Sequence, residues 1–174
     1  MASIVRDLNG WESGELKISW ARKHMPLLEG IEQEFKKNKP FDGKKIALSV
    51  HLEAKTARLC EVLSCGGAQM YVTGSNPLST QDDVAAALVH AGMNVFALHG
   101  ASCEEYKDGL RKVIEIGPNI IIDDGGDLVD LIHNEYEELI PGVIGGIRRI
   151  CRIICPGGVR RVRCIRSGFH VCRR

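Results

Sequence analysis

The sequence predicts an α/β domain in three layers, with a parallel β-sheet between two layers of helices. Two observations predict this fold class. Apolar runs of strand length alternate with longer amphipathic segments along most of the 174 residues, and strands that alternate with helices form parallel sheets. The runs "IALSV" (46–50) and "III" (120–122) are also continuously apolar, as expected of strands that are covered on both faces.

The elements follow one another in a regular order. Residues 20–38 place apolar side chains at helical spacing, which predicts one continuous helix that ends at "PFDG". After it, strands and helices alternate. The predicted strands lie in "KKIALSVHL", "GGAQMYVTG", "MNVFALHG", "NIIIDDGG" and "PGVIGG". The predicted helices run from Glu53 to about Cys65 and through "STQDDVAAALVHAG", "CEEYKDGLRKVIEIG" and "DLVDLIHNEYEELI".

Charge divides the chain unevenly. All 22 acidic residues and 14 of the 23 basic residues lie in residues 1–146, whereas residues 147–174 hold nine Arg, no Lys and no acid. We therefore predict an N-terminal extension at 1–19, an α/β domain at 20–146 and an Arg-rich and Cys-rich tail at 147–174.

The N-terminus and the cysteines indicate the compartment. The N-terminus has no charged-then-apolar leader, and no apolar run approaches the roughly 18 residues of a membrane span. We therefore expect a soluble, cytoplasmic protein whose body cysteines are reduced. No Cys/His spacing predicts a metal site, and no Gly-x-Gly-x-x-Gly phosphate loop occurs.

Polar side chains gather where the predicted strands end. The segments 51–56, 73–79, 99–101 and 123–126 all follow strands of one parallel sheet. Ligands of such sheets bind outside the carboxyl ends of the strands. We therefore expect these segments, including the titratable groups of "HLEAKT" (51–56), to line one edge.

The stretch "SNPLSTQDD" (75–83) lies at a strand-to-helix junction. Ordinary helix capping would explain Ser79 and Asp82. It does not explain Asn76, Thr80 and Gln81 together, which favours a polar cradle for a sugar or amino-acid group.

The stretch "IIIDDGGDL" (120–128) ends an apolar strand on two acids and two glycines. Acids are favourable at a helix N-terminus for electrostatic reasons alone. A carboxylate that emerges directly from a buried strand is also suited to accept a proton. We favour a catalytic or ligand-binding role for Asp123 or Asp124 over simple capping.

These stretches together resemble the adenosylhomocysteinase family, and in particular its microbial subtype. The resemblance covers about Trp20 to Gly146 and rests on "MPLLEGIEQEF", "HLEAKTARL", "GSNPLSTQDDVAAAL", "EEYKDGL" and "IIDDGGDLVDLIH". It implies a Rossmann-like substrate-binding domain, a nucleoside thioether substrate and a homo-oligomer. It also implies a tightly held NAD, which transiently oxidises the ribose 3′-hydroxyl so that homocysteine leaves and water adds.

The resemblance also implies roles for individual residues. Asp124 matches the family's acid/base aspartate, and His51 matches a histidine near the 5′ side of the nucleoside. The implied substrate-binding residues are Glu53, Lys55, Thr56, Asn76, Ser79, Thr80 and Gln81.

Lys55 departs from the animal-type pattern, which has Glu at this position to meet the exocyclic amine of adenine. Lys is a donor only, so it suits the 6-oxo group of hypoxanthine. The Glu53 carboxylate can instead accept a hydrogen bond from the exocyclic amine of adenine. We expect adenine as the base, with S-inosyl-homocysteine as the rival substrate.

The second departure begins after "GVIGG". There the family continues with two Glu and a run of Thr, then the NAD domain, whereas this chain reads "IRRIC". A shifted reading frame is one explanation of the tail. Without the NAD domain, the chain alone is expected to be inactive. Alternatively, the chain is a non-catalytic module whose cationic tail binds nucleic acid or anionic membrane.

Overall fold

The computed structural model describes residues 2–148 of the protein, without the side chain of Arg148. Predictions about the tail therefore lie almost entirely outside the described residues. The helices are α1 (Trp11–Lys23), α2 (Pro26–Asn38), α3 (Ala54–Cys65), α4 (Asp82–His90), α5 (Cys103–Ile114) and α6 (Asp127–Asn134). The strands are β1 (Lys45–Val50), β2 (Gln69–Gly74), β3 (Asn94–Val95), β4 (Ile120–Asp123) and β5 (Gly145–Arg148). Short 3₁₀ turns occupy Pro77–Ser79 and Glu137–Gly142.

The five strands form one parallel sheet in the order β3-β2-β1-β4-β5. The fold class predicted from the sequence is confirmed. Strand β3 is much shorter than the apolar run "MNVFAL" suggested. The N-terminal segment lies against this edge, since the Ile4 backbone N–H donates to the Val95 carbonyl at 2.8 Å.

Two apolar cores lie on opposite faces of the sheet. On one face, Ile46 and Leu48 of β1 pack with buried side chains of α1, α3 and α4. On the other, Ala47 of β1 and Ile121 of β4 pack with α5 and α6. Successive strand residues point to opposite faces, so continuously apolar strands require both helical layers.

The segment predicted as one helix over residues 20–38 is two helices, and that prediction is wrong. Pro26 lies at the start of α2 and lacks the N–H that would continue α1. Met25, which precedes it, has φ −127° and ψ 61°, outside the helical region. Helix α1 reaches back to Trp11 within the predicted extension, and its Ile18 is almost completely buried.

A buried ion-pair cluster joins α2 to α3. The Arg58 guanidinium is 1% exposed and pairs with Glu32 of α2 and with Glu61 at 3.1 Å. Burial raises the pKa of the Glu32 carboxyl, but hydrogen bonds from Lys36 and Arg58 outweigh it and lower the pKa to about 2. The ionised carboxylate therefore balances the charge of the buried arginine, whose Nε has no hydrogen-bond partner within the described residues.

None of the helices in the described range 2–148 is long and apolar enough to cross a membrane.

A pair of helical glycines tests the packing of α1 on α4. A Cβ added at Gly14 would overlap the Asp83 carbonyl oxygen, whereas a Cβ at Gly30 would meet nothing within 4 Å. We expect Gly14→Ala to lower the free energy of unfolding by about 1–3 kcal/mol or more, because backbone atoms must separate. Gly30→Ala should raise it by ~0.5–1 kcal/mol through helix propensity. Urea denaturation measures both, and equal effects would contradict this close approach.

Candidate functional site

The candidate site lies where the order of the sheet reverses. Strand β1 pairs with β2 on one side and with β4 on the other, with Ser49 opposite Asp123. The carboxyl ends of β1 and β4 are therefore neighbours at one edge of the sheet. Such a switch point is the usual ligand crevice of open parallel sheets. His51 and Asp124 follow these two strands.

His51 lies between two polar side chains. Its Nδ1 lies 2.5 Å from the Ser79 hydroxyl, and its Nε2 lies 3.6 Å from the Asp124 carboxylate. The His51 side chain is 47% exposed and the Asp124 side chain 9%. His51 is thus the most exposed of the three residues, Ser79 is of intermediate exposure and Asp124 is buried.

The 3₁₀ turn Pro77–Ser79 holds the hydroxyl of Ser79 in place. The Asn76 side chain begins this turn by accepting a hydrogen bond from the Leu78 N–H at 2.9 Å. The Asn76 carbonyl accepts from the hydroxyls of Ser79 (3.0 Å) and Thr80 (3.2 Å). Asn76, Ser79 and Thr80 are thus joined in one network that ends on His51.

Capping of α4 by Ser79 is the wrong interpretation of this stretch. Helix α4 begins after Gln81, and no side chain caps it. The Asp82 carboxylate instead accepts from the His99 backbone N–H at 2.8 Å. Ser79 ends the 3₁₀ turn, two residues lie between it and the first residue of α4, and the sequence spacing alone did not reveal that turn.

The two neighbouring aspartates have different surroundings. The Asp123 carboxylate accepts the backbone N–H groups of Gly126 (2.8 Å) and Val129 (3.0 Å). It therefore holds the turn into α6. The Asp124 backbone N–H donates to the Ser49 carbonyl at 2.9 Å, and its side chain faces His51. The Asp123 carboxylate therefore stabilises the turn, whereas the Asp124 carboxylate faces the crevice.

An open hollow of about 560 Å³ lies beside the start of α3. Residues 24–28 at the junction of α1 and α2 form one wall, and Lys55, Thr56 and Leu59 form the other. Thr56 is buried, and Lys55 is exposed. Within residues 2–148 the Lys55 ammonium has no hydrogen bond or ion pair. The hollow combines apolar walls with one cationic donor.

Gln81 and Glu53 are the remaining residues that were predicted to bind substrate. The Gln81 side-chain oxygen accepts from the Lys17 ammonium at 3.2 Å, so the amide group of Gln81 is left to donate. Glu53 directly precedes α3 and is half-buried, but its side chain does not cap the helix.

Two contributors escaped the sequence analysis. Lys17 lies in the part of α1 before residue 20, where the sequence analysis predicted no helix. Residues 24–28 were interpreted only as helix, although "MPLL" carries part of the resemblance.

Tyr106 of α5 donates a hydrogen bond to the Asp127 carboxylate at 2.7 Å. Burial, together with this carboxylate, raises the pKa of Tyr106.

Fold and site define a class of α/β domain with a polar crevice at a topological switch point. The family model described as S-adenosyl-L-homocysteine hydrolase matches residues 2–144. The chain is 53% identical over 142 residues to an S-inosyl-L-homocysteine hydrolase of Methanocaldococcus jannaschii, covering 82% of this chain and 34% of that protein. It is 55% identical over 144 residues to the S-inosyl-L-homocysteine hydrolase of Methanococcus maripaludis, with 83% and 35% covered. An adenosylhomocysteinase of Pyrococcus abyssi is 48% identical over 141 residues, with 81% and 33% covered.

The chain belongs to the S-adenosyl-L-homocysteine hydrolase family. The resemblance noted from the motifs is confirmed. The chain spans about a third of the length of the curated relatives that it matches.

The two aspartates provide a matched test of their roles. We expect Asp123→Asn to lower the free energy of unfolding by about 1–3 kcal/mol, because an amide cannot accept both buried backbone N–H groups. Asp124→Asn should have a smaller effect, since its carboxylate faces a half-exposed imidazole. Urea denaturation compares the two variants. A larger loss from Asp124→Asn would contradict the assignment.

Proposed function

We propose that this chain supplies the nucleoside-binding part of a hydrolase that cleaves the thioether of a nucleosyl-homocysteine. The products are the free nucleoside and homocysteine. The observation that carries the proposal is the contact between His51 and Asp124 at the topological switch point, next to an open hollow. Membership of the family supports the reaction class.

His51 and Asp124 are proposed to move protons at the ribose. The Asp124 carboxylate is almost buried, where desolvation strengthens its interaction with a donor. His51 connects it to the half-exposed side of the crevice. General acid–base catalysis needs such groups within hydrogen-bond reach of the reacting atoms. Ser79, Asn76 and Thr80 hold His51 from the other side.

The hollow beside α3 is proposed to hold the purine base. Its apolar walls suit a flat ring, and Thr56 lies at its floor. Lys55 is proposed to donate to the 6-oxo group of hypoxanthine, which adenine lacks. Hydrolases named for S-inosyl-L-homocysteine are among the similar proteins at 53% and 55% identity. For these two reasons we propose hypoxanthine as the preferred base, instead of the adenine expected from the sequence.

S-adenosyl-L-homocysteine is the second candidate substrate. The adenosylhomocysteinase of Pyrococcus abyssi is 48% identical to this chain. The half-buried Glu53, two residues before Lys55, offers the acceptor that the adenine amine requires.

The described residues do not fit the NAD that the resemblance implies. Dinucleotide phosphates bind at a glycine-rich turn before a helix N-terminus. Here the first strand-to-helix turn is "HLE" and places the Glu53 carboxylate immediately before α3. An acid at that position repels phosphate. We propose that any such cofactor binds to parts of a longer protein.

A homo-oligomer is also proposed. Large apolar side chains of α1 are exposed at Leu16 and Trp20, with exposures of 74% and 55%. A covering surface from a second copy would bury them.

Nucleoside binding tests the proposal and the role of Lys55. We expect the chain to bind inosine more tightly than adenosine, measured by isothermal titration calorimetry. Lys55→Met should weaken inosine binding about 10-fold or more, because a charged hydrogen bond contributes ~1.5–3 kcal/mol. Lys37→Met is the control, since Lys37 is exposed on α2 and does not line the hollow.

Two outcomes of this titration separate the claims. If Lys55→Met weakened the binding of inosine and adenosine equally, Lys55 would have no role in selecting the base. No binding of either nucleoside would contradict the proposed function.

Turnover tests whether this chain acts alone. We expect the purified 174-residue chain to release no homocysteine from S-inosyl- or S-adenosyl-L-homocysteine with NAD added, because its described residues form no dinucleotide site. Thiol release, followed with a chromogenic disulfide, measures the reaction. A longer family member serves as the positive control. NAD-dependent release by the chain itself would contradict the expectation.

A further inference from the structure

The hollow beside α3 has one aromatic side chain among the described residues that line it, and that side chain is His24. His24 directly follows α1, at the junction with α2. It is exposed, so a ligand that enters the hollow can reach its ring. Around it the hollow offers apolar side chains, such as Met25 and Leu59, and the Lys55 ammonium. An aromatic ring in such surroundings is a surface on which a nucleoside base can stack.

Two contacts with Trp20, one helical turn earlier on α1, hold the His24 ring. The indole and the imidazole are stacked, with ring centroids 4.1 Å apart and planes inclined by 24°. His24 Nδ1 also lies 2.7 Å from the Trp20 carbonyl oxygen. Since a carbonyl only accepts, the ring N–H donates this hydrogen bond. The ring is therefore fixed in plane and in rotation, so that little conformational entropy is lost when a ligand binds to it.

These contacts use only part of the imidazole surface. The indole occupies one face, and the backbone carbonyl occupies the edge that carries Nδ1. Within residues 2–148, Trp20 itself does not line this hollow, whereas His24 does. The hollow therefore meets the imidazole at its second face and at the edge that carries Nε2.

We propose that the second face of the His24 imidazole stacks on the purine base, which makes His24 a substrate-binding residue. The inference rests on the proposed function, which places the base in this hollow with its 6-position at Lys55. The edge of the base then points at the ammonium. Its flat faces are left for apolar and aromatic contacts with the rest of the lining.

Stacking and hydrogen bonding then have separate tasks. Every base has a π-face, so stacking on His24 contributes to the affinity for hypoxanthine and for adenine alike. The hydrogen bond from Lys55 depends on the group at the 6-position and selects between the two bases. The stack operates with either protonation state of the imidazole.

The chain contains a second histidine–tryptophan stack, which provides a matched control. His90 at the end of α4 stacks on Trp11, with ring centroids 3.7 Å apart and planes inclined by 9°. In the described part of the chain His90 does not line the hollow. Removal of its ring therefore breaks the same kind of aromatic pair without altering the proposed base site.

Isothermal titration calorimetry with inosine and with adenosine tests the proposal on the 174-residue chain. His24→Ala should weaken the binding of both nucleosides by the same factor, about 10-fold, as expected for loss of a base-stacking side chain. His24→Phe keeps a flat ring and should bind both with nearly wild-type affinity. His90→Ala should leave both affinities unchanged. Lys55→Met, by contrast, should change the ratio of the two affinities.

Proton NMR of the wild-type chain detects the stack directly. When inosine is added, the carbon-bound ring protons of His24 should move upfield, because the ring current of a stacked base shields atoms over its face. Those of His90 should not move. This measurement needs no variant, so it decides the case even if His24→Ala does not fold.

Three outcomes would overturn the proposal. Unchanged affinities in a folded His24→Ala, or His24 protons that do not move upfield, would show that the base does not stack there. A change in the inosine affinity alone would make His24 a selector of the base. Equal losses from His24→Ala and His90→Ala would show a general effect on the fold. In each case inosine binding by the wild type leaves the proposed function standing, whereas binding of neither nucleoside refutes that function and this inference with it.

Discussion

The pairing of β1 with β4 is the constraint on which the site depends. These two strands are not consecutive in the chain, yet they are neighbours in the sheet, in parallel register from Ile46 opposite Ile120 to Ser49 opposite Asp123. Their carboxyl ends therefore lie side by side, and no strand lies between them. A histidine one residue beyond the end of β1 and an aspartate directly after β4 meet for this reason. Both strands are buried on two faces, so a slip of register would expose the core and is strongly disfavoured.

The first helix supports this crevice from outside the strand-helix repeat. Helix α1 approaches α4 so closely at Gly14 that a side chain would not fit. Ser13 donates to the Asp83 carboxylate at 2.9 Å, and Lys17 pairs with the same carboxylate at 2.7 Å. Lys17 also holds Gln81, so α1 fixes the residue that precedes α4. Gln81 ends the segment that carries Ser79, so α1 contacts that segment at its last residue.

The sequence predicts what depends on periodicity, and it misses what depends on exact chain geometry. Apolar runs and helical spacing were enough for the parallel sheet and its layers, and the motifs were enough for the family. The break before Pro26 was missed because apolar spacing continues across it. The distinction between Asp123 and Asp124 needed the positions of two backbone N–H groups. The contact of Ser79 with His51 needed a 3₁₀ turn, whose local spacing also matches a helix cap.

The most direct test of the account is where a nucleoside binds. Inosine added to nitrogen-15-labelled chain should shift backbone amide signals in three segments: 51–56, 76–81 and 123–126. These segments come from three strand ends, so their joint response would show that the ligand occupies the crevice at the switch point. Shifts confined to residues 96–109, which line a different cavity of about 110 Å³, would contradict the account.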